Sequence, residues 1–323
     1  MKLAILGAGM IVKDVLPVLT QIDEISLEVI LSSSRSLEET KNLAATYKIK
    51  EVTSDYDSIL SNPEIDTVYV ALPNHLHYHY AKQALEAGKH VICEKPFTLR
   101  ERELDELQAV AQEKNLFLLE AITNQYLPNF QVIKDQLANL GDIKIVSCNY
   151  SQYSSRYDTF KRGDILPAFD PQKGGGALRD INIYNIHLMV GLFGRPKSVS
   201  YAANMEKGVD TSGILSLDYG DFQAICIGAK DSSSTISSTI QGTDGFIRID
   251  GPTNELPSVF VQTGKDKGQV LDKNAGQHRM YAEFVEFNRI ITERDVETMA
   301  KQFEHSRQVL AIVDEVSPYQ LTD

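Results

Sequence analysis

The sequence lacks tryptophan, holds only three cysteines in 323 residues, and has no apolar run long enough to cross a bilayer. A membrane-spanning helix needs about 20 consecutive apolar residues, so we predict no membrane partner. Cys93, Cys148 and Cys226 lie far apart and are odd in number. That spacing speaks against a disulfide framework and against paired zinc ligands, and it favours a reducing, cytoplasmic location.

Basic residues are also scarce, because 32 lysines and arginines accompany 44 aspartates and glutamates, for a formal net charge of −12. Nucleic-acid binding needs a basic face that displaces counterions from phosphates, so we expect no nucleic-acid partner. A hydrophobic fraction of 42% is typical of a folded globular protein and excludes intrinsic disorder. At about 150 residues per domain, the length indicates two domains.

The first 120 or so residues alternate between two hydrophobic periods. Short apolar runs followed by chain breakers occupy residues 2–6, 27–32, 67–71, 90–93 and 116–119. Such runs are typical of buried parallel strands. Helical patterns separate them, such as the apolar stripe from Val12 to Leu19, and Ser36 with Glu39 matches a capping box. The alternation predicts right-handed βαβ units in a doubly wound Rossmann sheet over residues 1–122.

The pattern changes beyond residue 122. Strand-like segments occupy 143–152, 197–204, 212–219, 222–229, 235–241, 246–250 and 258–262. Turn signals such as Tyr219-Gly220-Asp221 between several of them predict hairpins and a large, mostly antiparallel sheet. Two amphipathic helices close the chain. The predicted fold is therefore an α/β domain followed by an α+β domain over residues 123–323.

The first chemical motif is Gly7-Ala8-Gly9, directly after the first strand. The first glycine permits a tight turn, and the second lets the backbone approach a pyrophosphate at the helix N-terminus. Val12 stands at the third small position of this fingerprint, which predicts looser packing of the helix on the strand. The placement in a βαβ series favours dinucleotide binding over a plain turn.

The end of the second strand indicates which dinucleotide is bound. Residues 31–36 read Leu-Ser-Ser-Ser-Arg-Ser and contain no acid, and the nearest acids are Glu28 and Glu38. NAD-specific domains place a carboxylate here to bind the ribose hydroxyls. Arg35 can instead pair with a 2′-phosphate, assisted by the serines. We predict NADP as the cofactor, with NAD possible. The alternative is that Arg35 only faces solvent.

Two further motifs carry residues suited to proton transfer. Lys95 follows the strand at 90–93, at the sheet edge where ligands bind in doubly wound folds. Asp180 and Tyr184 follow the glycine run 174–176 and would share one face of a helix that begins near Gly176. A carboxylate and a phenol on one face are able to move a proton. The alternative is a buried polar pair that is satisfied within the helix.

Four segments in this order resemble the glucose–fructose oxidoreductase and inositol dehydrogenase (Gfo/Idh/MocA) family over essentially the whole chain. They are Gly-Ala-Gly at 7–9, Ala-Leu-Pro-Asn-His-Leu-His at 71–77, Gly-Lys-His-Val-Ile-Cys-Glu-Lys-Pro at 88–96, and Gly-Gly-Gly-Ala-Leu-Arg-Asp at 174–180. The third is the most specific. The resemblance implies a Rossmann domain joined to a sheet-rich domain, and hydride transfer between NAD(P) and sugars, cyclitols or related alcohols.

The resemblance also implies roles for particular residues. Lys95 is the implied catalytic lysine and Asp180 its partner in the substrate pocket. Tyr184 stands where many members carry an acid/base histidine, and Asn182 replaces a usual glycine. His187 is either a substrate contact or a helix-packing residue. We predict that the enzyme is a homodimer or a dimer of dimers through the C-terminal sheet.

The complete predicted site has a cofactor part and a substrate part. The predicted cofactor-binding residues are Gly7, Gly9, Met10, Ile11, Ser33, Ser34, Arg35, Leu72, Pro73, Asn74, His75, Glu94 and Lys95. The predicted substrate-binding residues are Tyr153, Arg156 and His187, the first two in a loop over residues 151–173. Lys95, Asp180 and Tyr184 are the predicted catalytic residues, and no metal is expected.

The predicted function is an NADP-preferring oxidoreductase acting on a small sugar, polyol, cyclitol or dihydrodiol-like substrate. One alternative is a dinucleotide-binding sensor without turnover. A remote alternative is a metal-dependent hydrolase, because His75, His77 and His79 would point the same way from a strand and could bind zinc. A helix starting at Asn74 would instead scatter these imidazoles around its axis, and it is the preferred interpretation.

Overall fold

The computed structural model describes residues 1–321, which form two compact units. The first comprises Met1–Ala121 and Met280–Arg307, and the second comprises Ile122–Arg279 and the chain from Gln308 onward. The sequence prediction kept residues 280–307 in the second domain. They belong to the first unit because Phe284 is fully buried there and packs edge-to-face on Tyr69, with 5.2 Å between the ring centroids.

A six-stranded parallel sheet forms the centre of the first unit. Its strands are β1 (Lys2–Leu6), β2 (Ser26–Leu31), β3 (Glu51–Thr53), β4 (Thr67–Val70), β5 (His90–Glu94) and β6 (Leu118–Ala121). The spatial order is β3-β2-β1-β4-β5-β6, and every pair is parallel. This order is that of a doubly wound dinucleotide-binding sheet, as predicted.

Helices with one apolar stripe cover this sheet. They are α1 (Met10–Leu19), α2 (Leu37–Tyr47), α3 (Tyr56–Ser61), α4 (His77–Glu86) and α5 (Glu101–Glu113). The predicted stripe from Val12 to Leu19 is buried on α1, as are Leu104 and Leu107 on α5. Because helices pack on its faces, the central strands β1 and β4 are almost entirely apolar and buried.

The second unit contains an eight-stranded sheet. Its strands are β7 (Ile143–Ser151), β8 (Ser198–Glu206), β9 (Val209–Asp218), β10 (Gln223–Ala229), β11 (Ser237–Gly242), β12 (Gly245–Asp250), β13 (Val259–Thr263) and β14 (Gln269–Leu271). The order is β14-β13-β12-β11-β7-β10-β9-β8, antiparallel throughout except for the β7–β10 pair. The predicted mostly antiparallel sheet is therefore confirmed.

One face of this sheet carries the core of the second unit. The helices of the second unit are α6 (Pro128–Gln136), α7 (Tyr157–Lys161) and α8 (Ile183–Phe193). Of the last two helices, α9 (Tyr281–Glu293) belongs to the first unit, and α10 (Val296–Glu315) begins in the first unit and ends in the second. Val146, Leu215 and Cys226 alternate inward and pack in one cluster with Ile186 and Met189 of α8. Their neighbours Ile145 and Ile214 point outward and are about half exposed.

Two local features of the second unit depart from regular structure. A π-helical turn, Leu178–Asn182, precedes α8 and carries Asp180. The predicted loop over 151–173 contains α7 and a stacked pair of buried rings, Phe160 and Phe169, whose centroids are 4.8 Å apart.

Within residues 1–321, none of the helices combines the length and the apolar character that crossing a membrane requires.

Candidate active site

Gly7 forms the turn that leaves β1, and its geometry requires glycine. Its φ is +108°, and a Cβ added there would lie 2.7 Å from the Ala71 carbonyl oxygen. Gly9 precedes α1 in an extended conformation, and a Cβ there would meet nothing within 4 Å. The first turn of α1 carries no acid, and Met10 is largely exposed. Backbone N–H groups at this helix start are therefore accessible to an anion such as a pyrophosphate.

The segment after β2 presents hydroxyls and one cation to solvent. Ser33, Ser34 and Arg35 are exposed, whereas Ser32 is buried and its hydroxyl lies 2.8 Å from the Thr40 hydroxyl. The predicted capping box does not form. The Ser36 hydroxyl lies 2.8 Å from the Ser33 hydroxyl and makes no capping bond to α2.

The two acids nearest this segment are engaged elsewhere. Glu28 is buried in β2 and binds Lys50, with 2.7 Å between Oε1 and Nζ. Burial is the largest single influence and opposes ionisation of Glu28, but the hydrogen bonds from Lys50 and Ser26 and the charges of Lys50 and Lys2 together outweigh it and lower the pKa of this carboxyl. Glu38 pairs with Lys41 at 2.8 Å. In this segment, therefore, no carboxylate takes the position that would repel a 2′-phosphate.

The histidine cluster does not form a strand. Residues 74–76 make a single helical turn, and α4 begins at His77. His75 and His79 are exposed, and among the described residues no group of three or more His, Cys, Asp or Glu is placed to hold a metal. The hydrolase hypothesis required these three histidines to lie on a strand, and the structure places them on helical turns instead.

His77 is a structural residue whose role the sequence did not indicate. It is fully buried, with Nδ1 2.9 Å from the Pro96 carbonyl oxygen and Nε2 2.8 Å from the Leu72 carbonyl oxygen. Burial lowers its pKa. The imidazole therefore links the segment after β4 to the turn that carries Lys95. The neighbouring predicted residues are Leu72 and Asn74, both half-buried, and Pro73, which is exposed.

Buried acids surround the end of β5. Glu94 is buried and accepts a hydrogen bond from the Tyr69 hydroxyl at 2.5 Å, while Lys95 is half-buried. Glu120, at the end of β6, accepts a hydrogen bond from the Phe97 N–H at 2.9 Å. Burial raises the pKa of Glu120 to about 7. Tyr69 and Glu120 lie inside apolar strands, where the sequence pattern suggested only packing.

These cofactor-side residues share one edge of the first sheet. The Gly7 turn follows β1, the serine segment follows β2, residues 72–75 follow β4, and Lys95 follows β5. Because the strands are parallel, their carboxyl ends meet at the same edge. The structure therefore brings together most residues of the predicted cofactor set. Ile11, the remaining member, is half-buried in α1.

Asp180 and Tyr184 lie in the second unit, on the π-turn and on α8. Both are half-buried. Asp180 forms an ion pair with Lys230, with 2.7 Å between Oδ2 and Nζ, and the Lys230 side chain is only 3% exposed. The centroids of the Tyr184 and Tyr150 rings are 6.1 Å apart. The helix expected to begin near Gly176 starts with the π-turn at Leu178 and continues as α8. Lys230, which follows β10, was missed.

Asn182 has a packing role. It is fully buried, and its amide donates to the Cys226 carbonyl oxygen at 3.0 Å. A Cβ on Gly228 of β10 would lie 2.6 Å from the Asn182 Cβ. Close contact between the π-turn and β10 therefore needs both residues. His187 is also fully buried, in the interior of α8, which favours the helix-packing interpretation over a substrate contact.

The predicted substrate loop is held by its own side chains. The Tyr153 hydroxyl donates to Asp158 at 2.7 Å and accepts from Lys161 at 2.9 Å. Tyr153 is exposed and Arg156 is half-buried. Both therefore reach the surface of a folded segment, where a ligand is able to contact them.

The glycine run is fixed by a buried acid. Gly176 has φ +110°, and a Cβ there would lie 2.0 Å from Asp210 Oδ1. Asp210 Oδ2 accepts from the Leu178 N–H at 2.7 Å and from the Tyr201 hydroxyl at 2.8 Å. Burial raises the pKa of Asp210. The run therefore needs glycine so that the chain can pass over this carboxyl and enter the π-turn.

A doubly wound sheet with a glycine turn after β1 and a solvent-facing serine–arginine segment after β2 is typical of a dinucleotide-binding domain. Residues 1–121 match the model of the oxidoreductase family with an NAD-binding Rossmann fold, and residues 130–248 match the GFO/IDH/MocA C-terminal domain. The chain belongs to the GFO/IDH/MocA oxidoreductase family.

Named relatives extend this result. The chain is 34% identical to scyllo-inositol 2-dehydrogenase (NADP(+)) IolU of Bacillus subtilis, covering 97% of this chain and 95% of that protein. It is 29% identical to trans-1,2-dihydrobenzene-1,2-diol dehydrogenase of Xenopus tropicalis, covering 82% and 80%. A solved structure of KijD10, a 3-ketoreductase from Actinomadura kijaniata, superposes with a TM-score of 0.84 at 22% identity, covering 98% and 96%.

These findings confirm the predicted family, fold class, oxidoreductase activity and nicotinamide dinucleotide cofactor. The individual catalytic, cofactor and substrate residues stay predictions, as do the dimer and the cytoplasmic location.

Proposed function

We propose that this protein is an NADP-preferring dehydrogenase that transfers hydride between the nicotinamide and a hydroxyl-bearing carbon of a polyol, cyclitol, sugar or dihydrodiol. The observation that carries the proposal is the position of Lys95 directly after β5, at the edge of the parallel sheet where dinucleotides bind. The names of the relatives, which include an inositol dehydrogenase and a dihydrodiol dehydrogenase, support the substrate class.

The residues at this edge fit the phosphates of NADP. The Gly7 turn and the accessible start of α1 would hold the pyrophosphate, and Ser33, Ser34 and Arg35 would hold the 2′-phosphate. Bound there, NADP would supply the hydride acceptor for oxidation of the alcohol, and NADPH the hydride donor for reduction of the ketone. Oxidation of a secondary alcohol also releases one proton, and the protein must take it up.

We assign that proton to Tyr184. A free phenol has a pKa of about 10, so a cation is needed to favour the phenolate at neutral pH. Lys95 is the lysine that the family resemblance assigns to catalysis, and Asp180 would orient a substrate hydroxyl.

The experiment follows NADPH absorbance with scyllo-inositol, myo-inositol, glucose and trans-1,2-dihydrobenzene-1,2-diol as substrates, each with NADP⁺ or NAD⁺. We expect turnover with at least one alcohol, faster with NADP⁺. Tyr184→Phe and Lys95→Met should each lower kcat by about 10²- to 10⁴-fold, the usual effect of losing acid–base assistance.

Cofactor binding provides the control. The chain has no tryptophan, so NADPH fluorescence can be titrated without an indole background. Tyr184→Phe should bind NADPH as the wild type does. A wild type that binds NADPH but turns over none of a broad alcohol panel would support the sensor alternative instead.

A further inference from the structure

Lys230 is a buried lysine in the second unit to which neither the sequence pattern nor the relatives assign a role. Its Nζ lies 2.7 Å from Asp180 Oδ2, and the Lys230 side chain is 3% exposed. The same Nζ donates to the Ala168 carbonyl oxygen and lies 4.2 Å from the centroid of the Phe169 ring. The ammonium thus contacts a carboxylate, a carbonyl and an aromatic face.

The two members of this ion pair differ in burial, which indicates that Lys230 rather than Asp180 determines the geometry of the pair. A buried ammonium is costly unless charge and hydrogen bonds compensate it, so the position of Lys230 is tightly constrained. Ala168 and Phe169 fix it from one side, and Phe169 is itself fully buried against Phe160. The side chain of Asp180 is 36% exposed, so packing constrains it less than it constrains Lys230. The lysine therefore positions the carboxylate.

We propose that Lys230 is a positioning residue that fixes the orientation and the charge of Asp180 for the dehydrogenase reaction. This inference rests on the proposed function, in which Asp180 takes part. An ammonium at 2.7 Å stabilises the ionised carboxylate and restricts its rotation. Through Ala168, the same lysine also links Asp180 to the segment that carries Tyr153 and Arg156.

A second lysine that anchors the same aromatic cluster serves as the control. Lys207 donates to the carbonyl oxygens of Phe160 and Lys161, each at 2.8 Å, and its Nζ lies 5.0 Å from the Phe160 ring centroid. It thus anchors α7 to this cluster, as Lys230 anchors the Ala168–Phe169 segment, but it is exposed and its bonds go to α7 rather than to Asp180. Lys207→Met measures the effect of losing a loop-anchoring lysine alone.

The test compares Lys230→Met, Lys230→Arg, Asp180→Asn, Lys207→Met and the double variant of Lys230→Met with Asp180→Asn, using the alcohol that the wild type oxidises fastest. Lys230→Met should lower kcat by about 10- to 100-fold, the scale of one hydrogen bond to a charged group, and Lys230→Arg should restore part of it. NADPH affinity should stay within about twofold, and Lys207→Met should keep the kcat of the wild type.

Two further readouts separate positioning from stability. In the double variant, Lys230→Met should add little to the loss caused by Asp180→Asn, because both remove the same interaction. In the single variant, the acid-side inflection of the pH–kcat profile should move to higher pH, because the carboxylate has lost its cation. Lys230→Gln, which keeps a donor for Ala168, replaces the methionine variant if that variant does not fold.

Wild-type kcat in Lys230→Met, or losses that multiply fully in the double variant, would overturn the inference. An Asp180→Asn variant with wild-type kcat would instead overturn the role of Asp180 in the proposed function.

Discussion

Among single residues, Glu120 shows how burial changes chemistry. Its pKa is raised by burial from 4.5 to about 7, so the folded state holds a proton that the unfolded chain releases near pH 4.5. The stability that this proton preserves is fully present below pH 4.5 and is lost as the pH rises through about 7. An amide of the same shape has no such pH dependence.

We therefore expect Glu120→Gln to gain stability relative to the wild type as the pH increases from 4.5 to 8, by up to ~3 kcal/mol. The glutamine oxygen can still accept from the Phe97 N–H. Thermal unfolding at several pH values measures the difference, with exposed Glu86→Gln as the control. A difference between Glu120→Gln and the wild type that does not change with pH would contradict the assigned pKa.

In the proposed function, Arg35 determines whether NADP or NAD binds more tightly. Arg35 is the cation of an exposed segment. The nearest acids, Glu28 and Glu38, are paired with Lys50 and Lys41 instead. Arg35→Ala should narrow the preference for NADP over NAD by roughly 1.5–3 kcal/mol, the scale of a charge-assisted hydrogen bond. Lys41→Ala, which removes a nearby cation of α2, should leave the preference unchanged. Titrating NADP and NAD against each protein measures the preference. Equal affinities of the wild type for NADP and NAD would exclude it.

At the scale of elements, long periodic segments were predictable and short or irregular ones were not. The apolar runs of β1 and β4 and the alternation in β9 and β10 fix those strands through burial. The three-residue strands β3 and β14 are too short for a pattern. The π-turn depends on contacts of Asn182 with β10, which lie far away in sequence. For the same reason, Lys230 and His77 could not be identified as partners of the site.

The glycine run before the π-turn can be tested with two glycines of nearly equal φ. Gly176 has φ +110° and is crowded by Asp210, whereas Gly163 has φ +107° with nothing within 4 Å of a Cβ. Gly163→Ala should cost about 1–3 kcal/mol from backbone strain alone. Gly176→Ala should cost more, because displacing Asp210 also breaks its buried hydrogen bonds to Leu178 and Tyr201. Unfolding temperatures measure both, and equal losses would show that crowding contributes nothing.

At the scale of the whole molecule, the chain returns to its first unit near the end, which a single boundary could not express. Strand–helix periodicity shows where a domain begins, but it does not show which unit a late amphipathic helix will cover. The α9 face with Phe284 and Phe287 is buried in the first unit. Domain function can therefore be assigned from the order of motifs, whereas domain boundaries need tertiary contacts.

The outer face of the second sheet carries the prediction of a dimer. Ile145 and Ile214 are 51% and 46% exposed, and Ile214 pairs across the strands with half-buried Ile227. Apolar side chains on an open sheet face are typical of an interface.

We expect light scattering to give a mass of about 72 kDa or a multiple of it, from a chain of 36.0 kDa. Ile214→Arg should shift the mass towards 36 kDa, because a buried, unpaired charge opposes association. Val285→Arg, at an exposed apolar position on α9, should not. A wild type that stays at 36 kDa at micromolar concentration would exclude this assembly.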